Sequence, residues 1–181
     1  MSKVTIAGDV NGTGVFTIAA PNGNTNRTLT LPDEAGTIAL AQSLSYVRLN
    51  TANGYGSTNN KIRRFTNIVN NAGSDITYAD SATLGATFTI NVSGVYSAHS
   101  VEQYATADWF GLSINSTQLT THINSITAAD RLASVFSHTG GGSSEVSATF
   151  YASATSVVRV HTGGAASSAG AIPTFHIARV A

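Results

Sequence analysis

The feature that most constrains the fold of this chain is the repeated alternation of short apolar runs with turn-forming residues. Runs rich in Val, Ile, Thr, Phe and Tyr are separated by Gly, Ser, Thr and Asn along the whole sequence, and helix formers are scarce. Many short strands with turn signals between them are typical of an antiparallel sandwich or barrel. The sequence therefore predicts an all-β protein.

The charge content limits the partners that such a chain can have. Charged residues make up 10% of the sequence, whereas about 25% is usual, so Ser, Thr, Asn and Gly must build most of the surface. Nine Lys and Arg balance nine Asp and Glu, and Arg63 and Arg64 are the only adjacent basic pair. Without a basic stripe we expect no nucleic-acid partner. A net charge of zero also does little to oppose self-association.

Cysteine usage and hydropathy exclude several further classes. The chain contains no Cys, so it forms no disulfide and no thiolate metal site. Its first ten residues contain no apolar run of signal-peptide length, and no stretch approaches the roughly 18 apolar residues of a membrane helix. We therefore expect a protein that has no membrane partner and is made in the cytoplasm.

Composition and turn signals divide the chain into two parts, residues 1–44 and 45–181. The first part holds three short strand-like runs, at 15–19, 27–31 and 37–40, with turn clusters between them. Strands this short bury too little apolar surface to stand alone. We infer a small N-terminal β-strand module that is stabilised by contact with another copy or with a partner. The alternative is a β-hairpin folded back on its own domain.

The second part is long enough for eight or more strands. Strands are predicted at residues 46–49, 64–70, 76–79, 86–91, 94–103, 108–114, 118–123, 132–136, 145–151, 156–161 and 172–180. For the strand at 132–136, a helical turn over residues 128–133 is an alternative to its first residues.

Short motifs in this second part resemble a known superfamily. Gly94-Val-Tyr96 resembles the Gly-x-Tyr step that enters a long central strand of C1q/TNF-like jelly rolls, and Phe88-Thr-Ile90 matches the strand that leads into it. The C-terminal run from Phe175 to Val180 resembles the last strand of the same fold. The resemblance implies a ten-stranded C1q/TNF-like jelly-roll sandwich that assembles as a homotrimer.

Other segments resemble C1q-like domains of phage and prophage structural proteins. Residues 109–121 look like their middle hairpin, and residues 158–163 look like the strand and loop before their final strand. Residues 16–21 and 27–32 are similar to N-terminal modules of phage fibre and head-decoration proteins. The chain departs from the family in a weaker final apolar cluster and in the absence of an evident Asp-rich calcium loop.

The phage resemblance implies a bacteriophage capsid decoration protein, of the cement or head-fibre type. It would sit on the capsid surface of the virion, be made in the host bacterial cytoplasm, and bind the major capsid protein or another virion protein. The residues expected to bind this partner are Val15, Phe16, Ile18, Arg27, Leu29 and Leu31. The residues expected at the trimer interface are Tyr96, His99, Phe110, Phe150 and Phe175.

The alternative function is the tip of a tail fibre that recognises host surface glycans through neutral, hydroxyl-rich loops. Trp109 is a candidate for stacking on a sugar, while Phe110 is expected to lie in the core or at a trimer contact, because alternate strand residues point to opposite faces.

The sequence does not favour an enzyme. It has no Gly-x-Ser-x-Gly elbow, and Glu102 and Asp108, the nearest candidates for a glycosidase acid pair, read better as part of a polar loop. The five histidines are scattered without ligand spacing, and His99 is the best candidate for a residue repeated around a trimer axis. We predict no catalytic residue, no cofactor and no metal.

Overall fold

The computed structural model describes residues 11–13, 17, 22–23, 44–137, 143–166 and 173–180. The chain divides into two compact units, Met1–Ala39 and Leu40–Ala181, and the predicted boundary between residues 44 and 45 falls just inside the second. The strands predicted in the N-terminal module, and the six residues expected to bind the capsid, lie outside the described residues. Within the described ranges, no helix is long and apolar enough to cross a membrane.

The second unit consists of strands joined by loops and two 3-10 turns. The turns lie at Ile123–Ser125 and Ala128–Asp130. In chain order the strands are β1 (Tyr46–Tyr55), β2 (Arg63–Ala72), β3 (Ile76–Ser81), β4 (Gly85–Ile90), β5 (Gly94–Gln103), β6 (Trp109–Ile114), β7 (Arg131–Phe136), β8 (Ser143–Ala152), β9 (Val157–Thr162) and β10 (Thr174–Arg179).

These strands form two five-stranded antiparallel sheets. Sheet A has the order β2-β1-β10-β5-β8, and sheet B has the order β3-β4-β9-β6-β7. Most neighbours within a sheet are distant in sequence, because the chain crosses repeatedly from one sheet to the other. This connectivity is that of a jelly-roll sandwich, the predicted fold.

Alternation along the strands builds the core between the two sheets. In β4, Ala86, Phe88 and Ile90 point inward and are buried, while the threonines between them are only partly covered. The ring of Phe175 in sheet A lies 4.4 Å from that of Phe88 in sheet B, and 6.2 Å from that of Phe65. These contacts across the sandwich bury large apolar side chains, which is the main source of its stability.

The edge strand β2 contains a β-bulge. Arg48 pairs with Asn70 and Leu49 pairs with Ile68, so Val69 is an extra residue on the β2 side. Two apolar side chains at the bulge lie on the surface: Ile68 is 52% exposed and Val69 is 46% exposed.

The strand predictions hold except at residues 118–123. There the chain is a loop with a 3-10 turn, so the middle hairpin expected over residues 109–121 is wrong: β6 pairs with β7 across a long connection. The loop folds back over the outer face of sheet B, where the His161 ring bonds the Thr121 carbonyl at 2.8 Å and Ile123 is fully buried. These long-range contacts override the local strand preference of the Thr and Ile residues. The helical turn considered at 128–133 exists, and β7 follows it directly.

Candidate functional site

The outer face of sheet A is a regular surface that the described chain leaves open. In β5, Tyr96 and Ala98 point into the core, so Ser97, His99 and Val101 point outward. We call this surface the sheet A face. It consists of the outward side chains of β1, β10, β5 and β8: Tyr46, Arg48, Asn50, Thr174, His176, Ala178, Val95, Ser97, His99, Val101, Glu145, Ser147, Thr149 and Tyr151.

Strand register places a row of basic groups across the middle of the sheet A face. Arg48 lies opposite His176, and His176 lies opposite His99. The two imidazole centroids are 5.1 Å apart, and the ring of Tyr46 lies 6.2 Å from that of His176. At the far end of the row, the His99 Nε2 atom lies 3.4 Å from a carboxylate oxygen of Glu145.

The electrostatic environment of this row disfavours a charged His176. Partial burial lowers the pKa of His176, and the neighbouring His99 and Arg48 lower it further. At neutral pH the row therefore carries the Arg48 cation and the Glu145 carboxylate on either side of an uncharged His176. This arrangement makes the charge of the face depend on pH in the range where histidine titrates.

The structure separates the residues expected at the trimer interface into two groups. Tyr96, Phe110 and Phe175 are fully buried inside the protomer, so their side chains have no surface to present to another chain. Phe150 lies opposite Tyr96 on the inner side of β8 and is partly buried against the same core. Of the five, His99 alone lies on the sheet A face.

A second open surface lies at the opposite edge of the sandwich from β2, where β7 of sheet B meets β8 of sheet A. Phe136 is 53% exposed on β7, and Tyr151, a residue of the sheet A face, is 67% exposed near the far end of the edge strand β8. Beside Phe136 is a shallow depression of about 480 Å³. Its lining residues are Val101, Val135, Phe136, Ser143, Ser144 and Glu145.

Trp109 belongs to an aromatic pair on the outside of sheet B. It lies opposite Phe136 in the β6–β7 ladder, and the two rings are 5.4 Å apart. Phe110, the next residue, points inward and is fully buried. The sequence left the orientation of Trp109 open, and the structure places it on the outer side, next to an exposed ring.

The acids that the sequence singled out do not form a pair. Glu102 is 1% exposed and holds Arg63, also 1% exposed, through two bonds of 2.7 and 2.8 Å. Burial raises the pKa of Glu102, and Arg63 works against that rise. Asp108 instead bonds the ring of His122 at 2.8 Å and accepts a bond from the Ala165 amide. Each carboxylate thus serves a structural contact of its own.

The buried Arg63–Glu102 pair is a feature that sequence reasoning missed, since its partners lie 39 residues apart. The Arg63 guanidinium also lies 4.9 Å from the centre of the Tyr55 ring. The sequence contained one sign of this pair. Alternation along β5 places Glu102 on the same side as Tyr96, and a buried carboxylate needs a cation or hydrogen-bond donors beside it.

The four described histidines occupy separate environments. His99 and His176 lie on the sheet A face, whereas His122 and His161 lie beneath and beside the loop that covers sheet B, and His138 is outside the described residues. Throughout the described ranges, no three His, Asp or Glu side chains are close enough to hold a metal ion.

This strand order and the packing of its two sheets define a C1q/TNF-like jelly roll, the fold class predicted from the sequence. Solved structures of murine APRIL share it: two of them match with TM-scores of 0.55 and 0.54 at 10% sequence identity. Each comparison covers 76% of this chain and 99% of the APRIL chain. At that identity the likeness concerns the fold alone. The chain matches no protein-family profile and no curated protein sequence.

Proposed function

We propose that this chain is a non-enzymatic structural protein of a bacteriophage particle, which binds the capsid surface as a homotrimer. Residues 1–44 would attach to the major capsid protein or another virion protein, and the jelly roll would be displayed outward. The observation that carries the trimer is the open sheet A face, flanked on both sides by exposed apolar groups. The phage assignment rests on the resemblance of residues 16–21 and 27–32 to N-terminal modules of phage particle proteins.

The two apolar edges favour a head-to-tail arrangement of copies. Ile68 and Val69 lie on the β2 edge, whereas Phe136 on β7 and Tyr151 on β8 lie at two separate points along the opposite side of the sandwich. A patch on one edge that docks against a different patch of the next copy gives a heterologous interface, which closes into a ring when the rotation allows. In the proposed ring the sheet A faces turn toward the axis, so that the contacts between copies also cover them. The C1q/TNF-like fold implies that the ring holds three copies.

The energetic consequence of such a ring is stabilisation of both the trimer and the particle it binds. Obligate interfaces bury about 2,000–5,000 Å² in total, and each Å² of apolar area contributes about 25 cal/mol before association costs. A trimer presents three N-terminal modules, so their linked binding gives avidity without one strong contact. Binding only to the assembled shell then stabilises that shell by mass action.

The oligomeric part of the proposal is tested by placing a charge on the sheet A face. Ser97 points outward from the middle of β5, so Ser97→Arg is expected to convert a trimer into single chains, as measured by sedimentation equilibrium. Thr87→Arg is the matched control, because Thr87 points outward from sheet B. A wild-type protein that sediments as a single chain at micromolar concentration contradicts the proposed trimer.

The capsid-binding part is tested by removing residues 1–43. This truncation keeps Ser45, whose side chain accepts a bond from the Asp75 amide and whose carbonyl accepts one from the Arg179 amide. We expect the truncated protein to remain trimeric and to lose co-sedimentation with capsids. Decoration of capsids by the truncated protein would show that attachment does not use the N-terminal module.

The aromatic pair of Trp109 and Phe136 favours a second candidate function, recognition of host surface glycans at a fibre tip. Aromatic rings at a surface stack on the apolar faces of sugars, and in this pair the Phe136 ring is 53% exposed at 5.4 Å from that of Trp109. A glycan array that shows binding by the wild type and by Tyr151→Ala, but not by Trp109→Ala, would support this function. The absence of any glycan bound by the wild type would favour capsid decoration alone.

A further inference from the structure

We propose that the histidine pair on the sheet A face makes the assembly acid-sensitive, so that lowering the pH from neutral to about 5 separates the copies. This inference rests on the proposed homotrimer and names its regulation. The pair consists of His99 on β5 and His176 on β10, directly opposite each other with ring centroids 5.1 Å apart.

Every charged group that faces the pair can be named from the strands beside it. On β1, Arg48 lies opposite His176, and the Tyr46 ring packs 6.2 Å from it. On β8, Glu145 is the one carboxylate near His99, at 3.4 Å from its Nε2 atom. The other described residues of the sheet A face are neutral, as is Asn70, which β2 places opposite Arg48.

Protonation of His176 changes this face from balanced to positive. With His176 neutral, Arg48 and Glu145 offset each other; with His176 protonated beside the His99 ring, two cations face one carboxylate. Around a closed ring the same change occurs in every copy. Like charges brought together in a contact from which water is excluded oppose association, and a single carboxylate per copy at 79% exposure compensates little.

The direction of the effect follows from linkage. His176 is harder to protonate in the folded chain than in water, because it is partly buried beside His99 and Arg48. A second copy on the same face removes more water and makes protonation harder still. Separated copies then bind more protons than assembled ones, so acid favours separation, and the effect grows as the pH falls below the ordinary histidine pKa of about 6.5 into the range where His176 of a separated copy takes up its proton.

The expected change in the trimer dissociation constant follows from the number of protons that each copy takes up on separation. If assembly lowers the pKa of one imidazole per copy by about one further unit, association weakens by up to about 10-fold per copy once that group is protonated in the separated chain, and three copies multiply this to about 10³-fold in the trimer dissociation constant. Because the concentration of half-dissociation scales with the square root of that constant, it rises by about 30-fold, which sedimentation equilibrium can measure.

The test is sedimentation equilibrium of the full chain at pH 7.5 and pH 5.0 with fixed ionic strength. Circular dichroism at both values confirms that the fold persists. The wild type is expected to be trimeric at pH 7.5 and dissociated at pH 5.0. The double variant His99→Gln/His176→Gln is expected to stay trimeric at both, while the control His122→Gln, on the other sheet, behaves like the wild type.

A third variant covers the case in which the double variant does not assemble. Arg48→Gln keeps both histidines but removes the fixed cation beside His176, so its dissociation is expected at a lower pH than that of the wild type. A wild type that is trimeric at both pH values, or a double variant that dissociates as the wild type does, overturns the histidine mechanism while leaving the trimer intact. A single chain at pH 7.5 overturns the trimer itself.

Discussion

Breaking the buried Arg63–Glu102 pair from one side is expected to destabilise the protein severely. The substitution Glu102→Gln keeps the size and an oxygen acceptor, so it creates no cavity and leaves the Arg63 cation 1% exposed without its counter-charge. Of the bonds of 2.7 and 2.8 Å that Arg63 donates, the amide oxygen accepts one as a bond to a neutral group, and the NH2 group replaces the acceptor of the other. Removing one partner of a buried pair costs about 3–5 kcal/mol in free energy of unfolding.

Replacing both partners together is expected to leave the free energy of unfolding unchanged or to raise it. The contrast with the single substitution tests whether charge burial is the cause of the destabilisation. In Arg63→Met/Glu102→Leu no charge remains to be desolvated, and apolar side chains fill similar volume beside Tyr55. Such replacements are neutral or stabilise by about 1–4 kcal/mol. The assay is urea unfolding of Glu102→Gln and of the four proteins of the cycle (wild type, Arg63→Met, Glu102→Leu and the double variant) at pH 7.5 and one protein concentration, since assembly adds to apparent stability.

Two results would refute this reasoning. A Glu102→Gln variant within about 1 kcal/mol of the wild type would mean that water or another group reaches the Arg63 guanidinium. A double variant as destabilised as the sum of its two single substitutions would mean that the side chains act through packing rather than through charge.

Three further predictions follow from the core and from the loop over sheet B. Gly163→Ala places a methyl group 1.8 Å from an Asp108 carboxylate oxygen, so thermal unfolding should show a loss of about 2 kcal/mol or more. Phe175→Ala should cost about 3–5 kcal/mol in urea unfolding, whereas Tyr151→Ala, which is largely exposed, should change stability by less than about 0.5 kcal/mol. Burial lowers the pKa of His161, so the unfolded chain binds the proton more readily and stability should fall as the pH drops below about 6.5; His161→Gln should flatten that fall in urea titrations from pH 8 to 5.

The strands were predictable because alternation and turn residues act locally. The bounds of β5, Gly94–Gln103, agree with the prediction from residues alone, and the order of strands along the chain followed from the same signals. The strand predicted at 118–123 was wrong because this segment is held by a hydrogen bond between His161 and Thr121, which are 40 residues apart. No local sequence pattern predicts such a contact.

The site was harder to predict because alternation does not reveal which strand face meets the core. Along β5 the buried side chains include Tyr96, Ser100 and Glu102, and the open side includes Val95 and Val101, so both faces look equally apolar from the sequence. Which face is buried depends on how the two sheets pack, and this involves residues far apart in the sequence. This is why aromatic residues expected at an interface line the core instead, while a histidine expected there lies on the open face.

The bulge at Val69 makes the β2 edge a poor site for adding a strand of another molecule. A straight edge strand offers its free backbone groups to the next molecule, and repeated pairing of that kind builds fibrils without end. The extra residue bends β2 and interrupts its ladder with β1 between Arg48 and Leu49, so no regular template for strand addition is present along that edge. In a molecule whose net charge of zero does little to keep copies apart, this edge is thus disfavoured as a starting point for endless strand pairing.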